Sequence, residues 1–288
     1  MSTDVPPGKN SYVIDAEDAA EMARLVEQDH LLTKGMGGIF PEYTRISGMN
    51  DILDIGCGPG GWVCDVAFEY PKIQVTGIDI SCTMIEYARA MASVQGLDNA
   101  HFRIMDALKP LDYPNAFFDL VNARLISGFV PKTYWPELLG EYKRVLRPGG
   151  IIRLTEVEFP ITNSAAYGRL SEMCTRAMRA AQLTFSPDGR FIGITPLLEH
   201  FLMEVECENI QHKAHALNFS SWTSIQRAYY NNFMTAFRLL KPFLLKTEVT
   251  TDEEFEEVYS NAMIELMLED FAGIWFYLTV WGLKKHET

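Results

Sequence analysis

The sequence predicts an α/β fold: a doubly wound, seven-stranded mixed sheet with helices on both faces, its last strand antiparallel, and helical insertions forming a lid. Three observations predict it. From residue 51 onward, short apolar runs alternate with segments of helical periodicity, the pattern of strand–helix units in a parallel sheet. A glycine-rich turn, Gly56-Cys57-Gly58-Pro59-Gly60-Gly61, joins the first apolar run to the first helix of that series. The second half changes to long amphipathic segments and then ends in an aromatic and β-branched run at 273–283.

The elements follow in order. Residues 1–14 read as a loose arm. Residues 16–34 read as a helix, with Asp15 as N-cap and Gly35 as its stop; Gly35, Gly37, Gly38 and Pro41 mark a loop. Ile52-Leu53-Asp54-Ile55 is a short buried strand, followed by a helix over 60–69. A strand at 74–79 leads to a helix at 81–95, and strands follow at 101–105 and 118–123. A helix at 134–145 precedes the strand at 151–157. These apolar strands belong in a sheet covered on both faces. Residues 164–183 and 195–206 read as helices and 210–219 as a strand. Over 222–245, Trp222, Ile225, Tyr229, Phe233, Ala236 and Leu240 share one helical face. Residues 252–271 are again helical, with Thr251 and Glu254 as a capping box. The stretch 247–272 carries nine acidic residues and no basic one, which reads as a solvated helix face. We divide the chain into an N-terminal helical arm or cap (1–45), a ligand-binding core (46–160) and a C-terminal part with the lid and final strands (161–288).

Charge and cysteine usage narrow the partners. A net charge of −13 over 288 residues, with no basic stripe, argues against nucleic acid and against an anionic membrane surface. Five widely spaced cysteines without a C-x-x-C pair argue against a disulfide framework or a zinc site, and fit a reducing cytosol. The longest strongly apolar run, 274–281, is far shorter than the roughly 20 residues of a membrane helix. The expectation is a cytoplasmic protein, monomer or homodimer, with a small-molecule partner and no bound metal.

The glycine turn sits where strand meets helix, so backbone N–H groups at a helix N-terminus face any ligand there. Gly56, Gly58 and Gly61 satisfy G-x-G-x-x-G, which by itself fits a dinucleotide cofactor or merely a tight turn. Its neighbours move the balance. Asp54, two residues before the first glycine, suits a cationic or amino-bearing ligand better than a pyrophosphate. Asp79 ends the second strand, where it can accept two hydrogen bonds from a ribose diol. Asp106 follows the third strand, where it can accept from the exocyclic amine of adenine. Ligands of doubly wound sheets bind at these carboxyl ends. The set describes an adenosine with a positively charged tail and no phosphates.

At this point ILDIGCGPGG, VTGIDIS with CTMIEYARA, MDALKPL, FDLVNARL and EYKRVLRPGGIIRLTE together resemble the Rossmann-like class I S-adenosylmethionine-dependent methyltransferases, especially the ubiquinone/menaquinone-biosynthesis group. The resemblance spans about 51–157. It implies that Gly56, Cys57 and Gly58 place backbone around the methionine moiety, and that Asp79 holds the ribose. It implies that Ile80 and Met84 flank the adenine, that Asp106 bonds its amine beside the Ala107 amide, and that Asn122 lies near the methionine amino group. Arg124 would stand at the edge of the substrate pocket. Related small-molecule enzymes close an N-terminal arm over the cofactor, which brings in Tyr12 and Gln28. Read as residues alone, Met84 and Cys57 also suit the core, and Asn122 and Arg124 could be satisfied within the fold.

Methyl transfer asks the protein mainly to align a nucleophile and exclude water. Glu156, after the fifth strand, is a candidate to orient the substrate or act as base, with a solvent-exposed role as the alternative. His30, in the N-terminal helix, is a further substrate-side candidate. His212 and His215 point to opposite faces of a strand and read as ordinary structure. The expected function is methylation of an O, N or C atom of a partly hydrophobic small molecule. Enzymes acting on planar amides or base amines often carry Asn/Asp-Pro-Pro-aromatic after strand four; here the place reads Asn122-Ala123-Arg124-Leu125. Two rivals remain: a nicotinamide oxidoreductase, for which the chain lacks a Tyr-x-x-x-Lys pair, and a catalytically silent S-adenosylmethionine-binding module with a regulatory or assembly role.

Overall fold

The computed structural model describes residues 12–42, 46 and 48–286. The first helix, α1 (Ala19–Met36), precedes the alternating unit β1 (Asp51–Ile55), α2 (Gly61–Glu69), β2 (Gln74–Asp79), α3 (Cys82–Gln95) and β3 (Ala100–Ile104). There follow β4 (Phe118–Arg124), α4 (Trp135–Val145), β5 (Leu146–Val157) and the two-residue β6 (Ile161–Thr162). The remainder is α5 (Ala165–Ala180), α6 (Leu198–Glu204), β7 (Cys207–Asn218), α7 (Gln226–Lys246), α8 (Asp252–Glu265) and β8 (Gly273–Lys284). The fold is a Rossmann-like α/β sheet. Strands β3, β2, β1, β4 and β5 lie parallel in that spatial order, and β8 lies between β5 and β7, antiparallel to both.

The sheet has eight strands rather than the seven expected. The extra one is β6, which resumes β5's pairing with β8 after a break at 158–160: Val157 faces Tyr277, and Ile161 faces Ile274. Pro160, which has no N–H for the ladder, lies in that break. The break leaves Glu158 and Phe159 at the wall of the cavity described below.

Alternation along the strands sorts the core. Leu53, Val121, Ile152 and Leu154 meet Trp135, Leu139 and Tyr142 of α4 and Leu198 of α6. On the opposite face Ile52, Val75, Leu120 and Ile151 meet Trp62, Val63 and Val66 of α2 and Ala88 of α3. A third cluster lies beyond the carboxyl ends of the strands, where α1, α5, α7 and α8 bury Leu32, Tyr167, Phe233, Phe237 and Phe255 against Trp275 and Tyr277.

Several boundaries differ from expectation. Asp18, not Asp15, caps α1 by accepting from Ala20 N at 2.7 Å. The helix runs through Gly35 to a left-handed cap at Gly37; Gly35 is instead a packing position, where a Cβ would stand 2.6 Å from Leu217. Helix α7 starts four residues late, leaving Trp222 outside it and 67% exposed, while Tyr229 and Phe233 are buried as expected. Helix α8 stops at Glu265, not 271. Its acidic face is not purely solvated: Arg169 of α5 and Arg238 and Lys241 of α7 pair with Glu254, Glu256 and Asp252.

Ser81 caps α3, its hydroxyl oxygen accepting from Met84 N at 3.1 Å while its proton goes to Ala16 O at 3.2 Å. It thereby ties the N-terminal segment to the helix. Ser81→Ala is expected to cost about 1 kcal/mol of unfolding free energy by urea titration. A neutral result would mean that neither bond matters.

Candidate active site

The carboxyl ends of β1, β2, β4 and β5 open onto a cavity of about 310 Å³, roofed by residues 12–16, α1 and the lid helices α5 and α7. One end is polar and belongs to the glycine turn; the other is apolar.

The turn is held by Asp79. Its two carboxylate oxygens accept from Gly58 N and Ser81 N, each at 2.9 Å. Cys57 N donates back to Ile78 O at 2.9 Å. Burial raises the Asp79 pKa, against the lowering effect of these amides. Gly56, Cys57, Asp79, Ile80, Met84, Asp106 and Ala107 all line the polar end. Asp106 accepts from Leu108 N at 3.0 Å and pairs with Lys109 at 3.3 Å. Gly58 faces the α1 side, 3.9 Å from Leu25 at its missing Cβ. Met84 is 1% exposed, so it serves the core and the cavity wall together.

Sequence reasoning brought Gln28 of α1 to the site but missed Asp29 and Arg24 on the same helix. Asp29 lies directly against Gly61, where a Cβ would stand 2.1 Å from the carboxylate. That carboxylate therefore sits at the positive N-terminal end of α2, and Arg124 of β4 holds it by an ion pair. Arg124 also donates to Thr33 Oγ1 at 3.2 Å and lies over the Trp62 ring. The place a dinucleotide's pyrophosphate would need is thus filled by a carboxylate of this chain. Further along α1, Arg24 reaches the cavity and is bonded twice to the buried Glu21, at 2.6 and 2.7 Å, and to Gln28 at 2.5 Å. Tyr12 OH donates to Glu21 at 2.7 Å. Tyr12 and Gln28 both line the cavity. Nothing in the sequence singled out Asp29 or Arg24, since polar residues on a helix also suit a solvated face.

 Arg24 and Gln28 are one turn apart, so they share a face of α1.

Asn122, Asp54, His30 and Glu156, all expected at the site, do not reach the cavity, and Gly58 is not among its wall residues. Asn122 is fully buried behind the turn: its amide donates to Asp54 Oδ1 at 2.6 Å and its carbonyl accepts from Arg153 Nη1 at 2.7 Å. Arg153 in turn pairs with Glu42, both side chains fully buried. Asp54, expected to face the ligand, is pushed up to about 7 by burial within this chain of polar groups. His30 lies on the exposed side of α1. Glu156 is neither solvent-exposed nor at the cavity wall: it is 1% exposed and accepts from Ile126 N, Ser127 N and Ser127 Oγ at 2.8–3.1 Å. It closes the turn after β4, whose Leu125 is left-handed at φ 57°. Glu158, two residues on, is the carboxylate at the wall. It accepts from Ile192 N at 2.7 Å, from Gly193 N at 3.0 Å and from the Thr195 hydroxyl at 3.1 Å, so it pins the loop before α6.

Burial lifts Glu156 from 4.5 to about 7. A carboxyl held above its unfolded value keeps its proton in the fold at a pH where the unfolded chain has released it. Its contribution is therefore full below about pH 4.5 and is lost as pH rises toward about 7. The urea midpoint of the wild type is expected to drop more between about pH 5 and about pH 7 than that of Glu156→Gln. Equal drops would remove Glu156 from the account.

His212 pairs with Glu199 and His215 is buried on β7, so neither belongs to the site. Among the described residues, no group of three or more potential metal ligands is present, and no helix is long and apolar enough to cross a membrane.

Comparison with known proteins finds methyltransferases. The family model described as "Methyltransferase domain" matches residues 52–150. The aklanonic acid methyltransferase DauC of Streptomyces sp. (strain C5) is 32% identical over 172 residues, covering 59% of this chain and 66% of that protein. A demethylmenaquinone methyltransferase of Deinococcus radiodurans is 34% identical over 117 residues, covering 41% and 46%. The chain spans about half the length of the curated relatives it matches. Among solved structures, Haemonchus contortus phosphoethanolamine N-methyltransferase 2 in complex with S-adenosyl-L-methionine superposes with a TM-score of 0.52 at 14% identity, covering 95% of this chain and 60% of that one. At that identity the likeness speaks for the fold.

Proposed function

We propose, from the premise that residues 52–150 belong to the methyltransferase-domain family, that this chain is an S-adenosylmethionine-dependent methyltransferase acting on a partly hydrophobic small molecule. The observation that carries the reading is the polar end of the cavity. Two acids, Asp79 and Asp106, stand at successive strand ends beside a glycine turn, while the phosphate position is taken by Asp29. That set of acceptors fits an adenosine and a charged tail, not a dinucleotide.

When bound, S-adenosylmethionine supplies a methyl group already activated on a sulfonium. The residues of the chain do the rest. Asp79 would accept from the ribose hydroxyls, Asp106 and the Ala107 amide would read the adenine edge, and Ile80 and Met84 would flank the ring. Gly56, Cys57 and Gly58 would present backbone to the methionine portion, with Tyr12 and Gln28 closing over it from the N-terminal side. Arg124 would position Asp29 and the substrate edge. The apolar end supports a hydrophobic acceptor, and relatives named for aklanonic acid and demethylmenaquinone support a small one.

The division into a cap (1–45), core (46–160) and lid-bearing part (161–288) belongs to the same proposal, supported by α1 and the lid helices roofing the cavity. So do a cytoplasmic location, a monomer or homodimer, and the absence of nucleic acid and membrane partners, for which the net charge of −13 is the support.

Calorimetric titration with S-adenosylhomocysteine tests the reading. Wild type should bind with micromolar affinity, and Asp79→Ala should lose roughly 1.5–3 kcal/mol, since charge-assisted bonds are lost. Binding of NADH in place of S-adenosylhomocysteine would overturn it.

A further inference from the structure

The apolar end of the cavity is walled by Leu125, Val157, Phe159, Met178, Leu240 and Trp275. Among the described residues lining the whole cavity there is neither histidine nor lysine. The carboxylates are all engaged. Asp29 is paired with Arg124, and Asp79 accepts from two backbone amides. Asp106 is held by Leu108 N and Lys109, and Glu158 by the loop at 192–195. The hydroxyls are directed elsewhere, that of Ser127 to Glu156 and that of Tyr12 to Glu21. Burial keeps the Cys57 and Cys174 thiols protonated. Both arginines at the wall, Arg24 and Arg124, already face a carboxylate of their own.

Among the described residues of the cavity, no group stands unpartnered to take a proton. Resting on the methyltransferase reading above, we propose that the acceptor is an oxyanion: an apolar molecule bearing a carboxylate or an acidic enolate that is ionised before it enters. In the transfer, a lone pair of the acceptor oxygen forms the new oxygen–carbon bond to the methyl group. The carbon–sulfur bond breaks and its electron pair stays on sulfur. One negative and one positive charge vanish together, and no proton moves. A neutral alcohol would instead emerge carrying an extra proton with no base beside it. An anion in an apolar cavity also needs a countercharge, and the sulfonium is that countercharge, since Arg24 and Arg124 are already paired.

The test compares 2-naphthoic acid with 2-naphthalenemethanol, matched in size and differing in charge. Each is titrated calorimetrically into protein saturated with S-adenosylhomocysteine, whose sulfur is neutral, and with sinefungin, which carries an amine cation in place of the sulfonium. The acid is expected to bind at least about tenfold more tightly to the sinefungin complex, while the alcohol shows no preference. Methyl ester formation from S-adenosylmethionine and the acid should keep one rate between about pH 6 and about pH 8, because no base titrates in the step. The proposal is overturned if the acid binds both complexes equally or neither. It is also overturned if the alcohol is methylated and the acid is not. Failure of the protein to bind either S-adenosylhomocysteine or sinefungin would be a different result, defeating the methyltransferase reading itself.

Discussion

Replacing Arg153 by methionine is expected to destabilise the protein by ~3–5 kcal/mol, because it leaves a buried carboxylate without its partner. Arg153 sits in the middle of β5, facing a sheet position where most side chains are apolar, and is fully buried with Glu42. Its second nitrogen holds the carbonyl of Asn122, whose amide is thereby turned toward Asp54 two residues before the glycine turn. The substitution thus strips both a charge partner and an orienting donor. Urea unfolding measures the loss. Removing both charges, as Arg153→Met with Glu42→Leu, should recover much of it, since an apolar pair of similar volume is often as stable as a buried ion pair. A single variant no worse than an ordinary surface change would show that water reaches Glu42.

Gly60→Ala is expected to be comparably damaging, and to abolish binding of S-adenosylhomocysteine besides. Gly60 adopts φ 80°, a left-handed conformation that costs other residues about 1–2 kcal/mol. A Cβ there would stand 2.6 Å from the Phe102 ring and 2.7 Å from the Ala88 methyl, both in the core. Overpacking of that kind adds about 1–3 kcal/mol. Gly60 N also donates to Cys57 O at 3.0 Å, so a displaced Gly60 carries the cofactor-side turn with it. Gly96→Ala provides the contrast: φ is 66°, but nothing lies within 4 Å of the added methyl. It should show the conformational cost alone, about 1–2 kcal/mol, with binding intact. Equal losses in the two variants would mean that packing around Gly60 yields easily.

What the sequence determined by itself was whatever depends on local pattern. Strand–helix alternation, the glycine turn, and acids at the ends of the second and third strands are periodic or adjacent features, and each corresponds to an observed element: β1 to β5, the turn at 56–61, and Asp79 and Asp106 at the cavity. The antiparallel last strand and the apolar face of α7 were legible for the same reason, since Tyr229 and Phe233 repeat at helical spacing. Helix ends were less so. Asp15 and Asp18 are equally good caps in sequence, and Gly35 is a glycine inside its helix where Leu217, far along the chain, leaves no room for a side chain.

Tertiary structure alone decided which polar residues face the cavity. Asn122 and Glu156 stand at strand ends where a ligand contact was expected, yet each is consumed by a partner about 30 residues away or more: Asn122 by Asp54 and Arg153, Glu156 by Ile126 and Ser127. Asp29 and Arg24 are the converse case, polar residues of an ordinary helix that become wall residues once α1 lies over the turn. A strand exposes its side chains to opposite faces by local geometry, so burial can be read from its pattern. Which polar group meets a ligand depends on which other polar group reaches it first, and that is set by the packing of segments distant in the chain.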